Sequence, residues 1–109
     1  MTYQDRQLDA LGDPTRRAVL RLLKDGPLPV GVIASKLPVS RPAISQHLKV
    51  LKEAGLVSDT ADATRRLYAI NPEAFRSLRA YFDEFWGIAL GEFKQRAEAR
   101  HRGKRKRSA

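Results

Sequence analysis

The sequence predicts a mainly α-helical domain with one small β-hairpin, in the order α-α-α-α-β-β-α. Three observations support this prediction. Apolar residues recur at helical spacing before Gly55, two short alternating segments follow it, and a long aromatic-rich helical pattern begins at Asn71. A chain of 109 residues supports one modest hydrophobic core. We therefore predict a single domain over residues 1–95 and a basic, flexible tail over residues 96–109.

The first two helices are predicted from apolar spacing and from their end signals. A short helix is expected over residues 3–11. Asp13 and Pro14 begin the next helix, because Asp accepts hydrogen bonds from free backbone N–H groups and Pro gives up a donor that has no partner there. An apolar stripe runs through RRAVLRLLK, and Gly26 ends the helix.

The next two helices form a paired motif. Pro29 opens a short helix over residues 30–37, and Pro38 ends it. Ser40 is a natural N-cap for the following helix, which runs until Gly55 provides a left-handed stop. Two short helices joined by about four residues are typical of a helix-turn-helix.

A hairpin is expected directly after this motif, because the apolar period changes from helical spacing to alternation. Residues 56–59 and 66–70 are predicted as two strands. They flank the polar loop TADATR, which is a plausible hairpin tip although it lacks Asn-Gly or Asp-Gly. A hairpin in this position is a wing, so the sequence predicts a winged helix-turn-helix.

The last helix is expected from Asn71 to about Arg96, and it is apolar over more than the roughly 100° that one core contact requires. We therefore predict a homodimer formed through the terminal helices; the alternative is that this surface packs inside one monomer. Gly87 and Gly91 lower helix propensity, and their spacing also suits close approach of another helix. The predicted dimer contacts are Leu8, Leu11, Phe82, Phe85, Trp86, Ala89 and Phe93.

The outer face of the second motif helix carries hydrogen-bonding groups that suit DNA. In a helix-turn-helix this helix enters the major groove, and its N-terminal residues meet base edges. Arg41 suits guanine O6 and N7, Gln46 suits adenine N6 and N7, and Ser45 suits either kind of edge. The predicted DNA-binding residues are Ser40, Arg41, Pro42, Ser45, Gln46, His47, Lys49, Arg65 and Arg66.

The other predicted DNA-binding residues are expected to contact other parts of the DNA. Pro42 suits a thymine methyl group, Lys49 suits a phosphate, and the two arginines near the hairpin tip suit phosphates or the minor groove. Two alternatives stay open. Ser45 and Gln46 are also consistent with solvated helix surface, and His47 is equally consistent with a phosphate contact and with a partly buried structural histidine.

Composition limits the possible functions. The net charge is +9, and seven of the 21 Lys and Arg residues lie between Arg96 and Ala109, so the tail either touches nucleic acid or acts as a solvating end. The chain has no cysteine, which excludes disulfides, thiolate nucleophiles and thiolate metal sites. It has no Gly-rich phosphate loop, HExxH motif or apolar run of membrane-spanning length. We predict a cytoplasmic protein that is not an enzyme and has no cofactor or membrane partner.

The run from GDPTRRAVLRLL through SRPAISQHLKVLKEAGLV to RRLYAIN resembles the ArsR family of dimeric winged-helix repressors. The resemblance implies operator binding and repression, often of the protein's own operon. It also implies that Arg41, Pro42, Ser45 and Gln46 face the groove and that the first and last helices pair the subunits.

The chain departs from this family's metal-sensing members. Their cysteine pair lies on the first motif helix, where this chain has VGVIASKL. Another known family site uses Asp and His on the last helix with further His and Glu downstream; here Asp83 and Glu84 are present, but the only late histidine is His101. We predict no metal site, and the effector is unknown.

The predicted function is a sequence-specific regulator of transcription that binds double-stranded DNA. We expect a repressor, with autorepression as one form, that acts as a homodimer on a pseudo-palindromic operator. The alternative is a sequence-indifferent architectural or RNA-binding protein driven by the basic tail. That alternative predicts that competitor DNA of any sequence is equally effective.

Overall fold

A computed structural model of the chain describes the backbone of residues 1–108 and the side chains of residues 1–101. The predicted order of elements is confirmed, with one additional strand. The elements are α1 (Tyr3–Leu11), α2 (Pro14–Leu23), β1 (Leu28–Pro29), α3 (Val30–Ser35), α4 (Arg41–Glu53), β2 (Val57–Asp62), β3 (Arg65–Ile70) and α5 (Pro72–Ser108).

The chain forms two compact units, the body (Met1–Phe75) and a C-terminal unit that begins at Arg76. The body contains the first seven elements and the start of α5. The C-terminal unit consists of the rest of α5. The division that we predicted between residues 95 and 96 concerns the basic tail, and it stays a prediction. None of the helices described is both long and apolar enough to span a membrane.

Side chains cap the N-termini of α1, α2 and α4. The Asp13 carboxylate accepts a hydrogen bond from the Arg16 amide at 2.9 Å, and the Ser40 hydroxyl accepts one from the Ala43 amide at 3.3 Å. Both caps were predicted from the sequence. A third cap at Thr2 was not predicted; its hydroxyl accepts a bond from the Asp5 amide, and the Asp5 carboxylate accepts one from the Thr2 amide.

The core of the body lies where α1, α2, α3 and α4 meet the base of the hairpin. On α4 the inner residues Ile44, Leu48 and Leu51 are completely inaccessible to solvent. This burial leaves the opposite side of α4 free to face outward. The buried apolar residues of the body are Ala10, Val19, Leu20, Leu23, Ile33, Ile44, Leu48, Leu51, Ala54, Leu56, Val57 and Ala74.

The sheet has three antiparallel strands in the order β1-β3-β2. The short strand β1 was not predicted, because Pro29 signals a helix start; it lies at the sheet edge, where proline is tolerated. The hairpin strands are longer than predicted, and their loop has two residues instead of six. Ala63 adopts the left-handed conformation there (φ 55°), and alanine carries no sequence signal for such a turn.

The turn from α4 to β2 is formed around Gly55, as predicted. Its φ of 75° lies in the left-handed region, which favours glycine. The Tyr3 hydroxyl occupies the space that a Cβ atom on this residue would need. The Asn71 side chain donates a hydrogen bond to the Gly55 carbonyl at 2.8 Å. This turn therefore brings residues that precede α5 and residues of α1 to the end of α4.

The last helix is longer than predicted. Apolar spacing ends at Phe93, which led us to end the helix near Arg96, whereas α5 continues to Ser108. Arg, Ala, Glu and Lys are good helix formers, so a helical backbone does not require an apolar stripe there. The basic side chains beyond His101 lie outside the residues whose side chains are described.

Candidate nucleic-acid interface

The outer side of α4 presents a polar surface, which we call the reading surface. Its five residues are all exposed, in contrast to the inaccessible residues on the inner side of the same helix. The Ser40 cap fixes the start of the helix, and Pro42 fits its first turn. The reading surface comprises Arg41, Pro42, Ser45, Gln46 and Lys49.

The polar groups of the reading surface are available to a partner. Within the described part of the chain, the side chains of Arg41, Gln46 and Lys49 make no hydrogen bond or ion pair. Exposed donors and acceptors on a rigid helix are what base and phosphate recognition requires. The structure therefore leaves the predicted base-reading side chains exposed to solvent.

A cleft of about 500 Å³ separates the start of α4 from the hairpin. It brings Arg41 of α4 together with Arg65 and Arg66 of β3, which are distant in sequence. The guanidinium of Arg41 lies 3.8 Å from the position that a Cβ atom on Gly31 would take. Three arginine side chains therefore line one cleft, and guanidinium groups are common phosphate ligands. The cleft is lined by Pro29, Val30, Gly31, Val32, Arg41, Thr64, Arg65, Arg66 and Tyr68.

Both arginines of the hairpin also have acidic partners. Arg65 Nη2 lies 3.1 Å from Asp62 Oδ2, within the exposed tip. Arg66 Nε lies 2.6 Å from Asp59 Oδ2. Both hairpin arginines are therefore ion-paired within the chain, and their predicted contacts with phosphates or the minor groove stay predictions.

Asp59 also binds a cation from α4. Lys52 Nζ lies 2.8 Å from Asp59 Oδ1, and the Asp59 side chain is only 7% exposed. The hydrogen bonds from Lys52 and then from Arg66 lower the pKa of the Asp59 carboxyl below its usual value. Sequence reasoning missed this arrangement, because the three residues lie on three different elements and share no spacing motif.

His47 is the one predicted DNA contact on α4 that turns toward the body. It is half-buried, and its Nδ1 lies 3.8 Å from Asp13 Oδ2 at the start of α2. The hydrogen bond from the Arg16 amide lowers the pKa of Asp13. Of the two roles left open for His47, this contact supports the structural one.

Four predicted dimer residues on α5 are strongly exposed aromatics. Phe82 is 45% exposed, Phe85 52%, Trp86 63% and Phe93 71%. Tyr81 stacks edge-on against Phe82 and Phe85, with ring centroids 5.4 and 5.2 Å apart. An exposed aromatic row of this kind is typical of a protein–protein interface.

The remaining predicted dimer residues differ in exposure. Ala89 is exposed and, with Phe82, Phe85 and Trp86, lines a shallow depression of about 240 Å³. In the body, Leu8 and Leu11 on α1 are half-buried. Within the described residues, no group of three or more His, Asp or Glu side chains is placed to hold a metal ion.

Comparisons with known proteins agree on one kind of protein. A profile described as a helix-turn-helix domain matches residues 11–60. The HTH-type transcriptional regulator Rv2034 of Mycobacterium tuberculosis is 53% identical over 96 residues, which cover 86% of this chain and 90% of Rv2034. The transcriptional repressor SdpR of Bacillus subtilis is 44% identical over 62 residues, which cover 57% of this chain and 69% of SdpR.

Solved structures give the same result for the fold. The crystal structure of the ArsR family transcriptional regulator RHA00566 is 30% identical, with a TM-score of 0.74 over 80% of this chain and 96% of that one. The solution structure of the homodimeric winged helix-turn-helix DNA-binding domain of Mb0332 from Mycobacterium bovis is 29% identical. Its TM-score is 0.64 over 75% of this chain and 80% of that one.

Proposed function

The chain belongs to the ArsR family of winged helix-turn-helix transcriptional regulators, and from this premise we propose how it recognises its operator. It is a sequence-specific DNA-binding regulator and acts as a homodimeric repressor. The alternative of a sequence-indifferent architectural or RNA-binding protein is set aside, because the relatives named above are transcriptional regulators rather than enzymes or structural proteins. The proposal places the protein in the cytoplasm with its DNA.

The observation that supports the proposal most directly is the division of α4 into two faces. The inner face is inaccessible, and the reading surface is exposed with unengaged polar groups. We propose that α4 enters the major groove with its N-terminal residues foremost. Arg41 then donates two hydrogen bonds to a guanine, Gln46 pairs with an adenine, and Ser45 contacts a neighbouring base edge.

The other residues of the site position the helix on the DNA backbone. Lys49 lies further along α4 and reaches a phosphate, whereas Pro42 contacts a thymine methyl group. The Ser40 cap holds the start of the helix. Arg65 and Arg66 bring the hairpin to phosphates or the minor groove beside the cleft.

Twofold pairing of two chains sets the distance between their two α4 helices. The exposed aromatic row of α5 buries itself against the same row of a second chain, with Leu8 and Leu11 contributing from α1. A dimer of this kind binds two half-sites about 34–36 Å apart on a pseudo-palindromic operator. Repression follows because the bound dimer covers promoter DNA.

The test begins with a footprint on the DNA upstream of the protein's own gene, which supplies an operator fragment. Gln46→Ala is then expected to lose about 1–3 kcal/mol of binding free energy on that operator and little on random DNA. Lys49→Ala is the matched control, since loss of a phosphate contact weakens binding to both DNAs by a similar amount. Equal losses of Gln46→Ala on both DNAs would show that this side chain does not read a base.

A further inference from the structure

We propose that Asp59 is a positioning residue for DNA binding, because its carboxylate ties the hairpin to the end of the helix that carries the reading surface. The inference rests on the proposed function and concerns the same site. The carboxylate oxygens of Asp59 bind two cationic side chains from different elements. One is Lys52 in the last turn of α4, at 2.8 Å, and the other is Arg66 in β3, at 2.6 Å.

The position of Asp59 within β2 explains why the hairpin needs an ion-pair link to α4 at this residue. Val57 is part of the core, whereas every residue from 60 to 66 is exposed, so Asp59 is the last side chain of β2 that the rest of the body covers. On the other side of the sheet, β1 pairs with β3 at only two positions. A two-stranded hairpin alone is marginally stable in water, so its tip depends on such anchors.

The register of the hairpin fits the proposed role. Asp59 pairs with Tyr68, which places Arg66 at the diagonal position on the same face of the ladder. Lys52 follows Lys49 by three residues, so it continues the side of α4 that carries the reading surface. The carboxylate therefore connects the face of the hairpin that carries Arg66 to the outer side of α4.

If Asp59 acted only through its charge, its removal would have the opposite effect on DNA affinity. An acid near the DNA-binding surface repels phosphates, so its removal should strengthen binding. Asp59 differs from an ordinary surface acid because it is nearly inaccessible and bound by two cations. If it positions the hairpin, its removal weakens binding although one negative charge is lost.

Asp62 provides a matched control on the same hairpin. It is 48% exposed, and among the residues with described side chains its ion-pair partner is Arg65, three residues away in the tip. Asp59→Asn and Asp62→Asn each remove one negative charge from the same hairpin at nearly constant size. We expect Asp59→Asn to weaken operator binding about tenfold and to make the salt dependence shallower by about one phosphate contact, whereas Asp62→Asn leaves affinity unchanged or raises it a few-fold.

Conservative rescue separates the role of the carboxylate from general damage to the fold. Asp59→Glu keeps the charge and is expected to recover part of the lost affinity. Equal or tighter operator binding by Asp59→Asn, relative to Asp62→Asn, would overturn the proposal. So would a lower affinity with an unchanged salt dependence, because the hairpin contacts would then still be made.

A second measurement needs no DNA. Hydrogen–deuterium exchange of the free protein is expected to quicken in the hairpin amides beyond Asp59 when that residue becomes Asn, but only at the tip for Asp62→Asn. If Asp59→Asn does not fold, Lys52→Gln takes its place in this exchange measurement, because it removes one of the two cations that bind Asp59. Lys49→Gln is then the control, since it removes the same charge from α4 and leaves both ion pairs of Asp59 in place, and no DNA is present. Hairpin exchange that matches the control overturns the proposal, whereas a wild-type chain that binds no operator refutes the proposed function alone.

Discussion

Two helices of this chain carry similar apolar patterns with opposite outcomes. On α4, Ile44 and Leu48 are fully inaccessible, whereas on α5 Phe85 and Trp86 are 52% and 63% exposed. Apolar spacing identifies a helical face that seeks burial, but it does not say whether the same chain provides that burial. The difference shows that the body closes its own core, while the C-terminal unit leaves an apolar face exposed within one chain. We propose that a second copy of the chain covers this face.

This comparison has a direct energetic consequence. Substitutions on the inner face of α4 should change the free energy of unfolding, because they remove contacts within the body. Substitutions on the aromatic row of α5 should change the dissociation constant of the dimer, because each side chain is already exposed within one chain. Four substitutions test this division, in decreasing order of expected effect.

The largest effect is expected from Leu48→Ala. Truncation of a completely buried leucine removes its apolar contacts and leaves a cavity, so we expect a loss of about 2–5 kcal/mol in the free energy of unfolding. Urea denaturation monitored by circular dichroism measures this loss. Lys49→Ala, at the adjacent exposed position, should stay within about 0.5 kcal/mol of wild type. Similar values for the two variants would contradict the assignment of the inner face.

The next largest effect is expected from Trp86→Ala. It should change the dissociation constant of the dimer rather than the free energy of unfolding of one chain. Loss of this exposed indole should weaken dimerisation by about 2 kcal/mol or more, because tryptophan is a frequent hot-spot residue. Sedimentation at micromolar concentration should show a larger fraction of the 12.3 kDa monomer. Glu84→Ala, an exposed change on the same helix, is the control. An unchanged dissociation constant for Trp86→Ala would place the interface elsewhere.

Local signals explain how much of the fold was predictable. Asp13, Ser40 and Gly55 each act through bonds or backbone angles within a few residues, and the structure has all three as predicted. The outer and inner faces of α4 followed from helical periodicity for the same reason.

The features that sequence reasoning missed depend on distant parts of the chain. The strand β1 exists only because Leu28 and Pro29 meet β3, about 40 residues later in the sequence. The link from Asp59 to Lys52 and Arg66 also needs the folded hairpin. No spacing in the sequence indicates which acid will meet which base.

A third substitution tests the core of the body at a polar position. Gln7 on α1 is completely buried, and neither its amide oxygen nor its amide nitrogen has a hydrogen-bond partner among the described residues. A buried unpaired polar group destabilises a fold, so Gln7→Leu, of similar volume, is expected to raise the free energy of unfolding by about 1 kcal/mol. Gln4→Leu, a half-buried change on the same helix, is the comparison. A destabilised Gln7→Leu would show that the amide does have a partner.

The smallest effect is expected from Gly91→Ala, on the side of α5 opposite the aromatic row. A helix turns about 100° per residue, so nine residues place Gly91 about 180° from Phe82. Apart from its own helical backbone, a Cβ atom there would meet no atom of the described residues within 4 Å. Alanine should therefore stabilise the helix by about 0.5–1 kcal/mol without changing the dissociation constant of the dimer. Thermal unfolding at several protein concentrations separates the two quantities, because a change in dimerisation depends on concentration. If Gly91→Ala weakens the dimer, the glycine face of α5 rather than its aromatic row receives the partner helix. The proposal that the exposed aromatic row is the dimer interface would then be wrong.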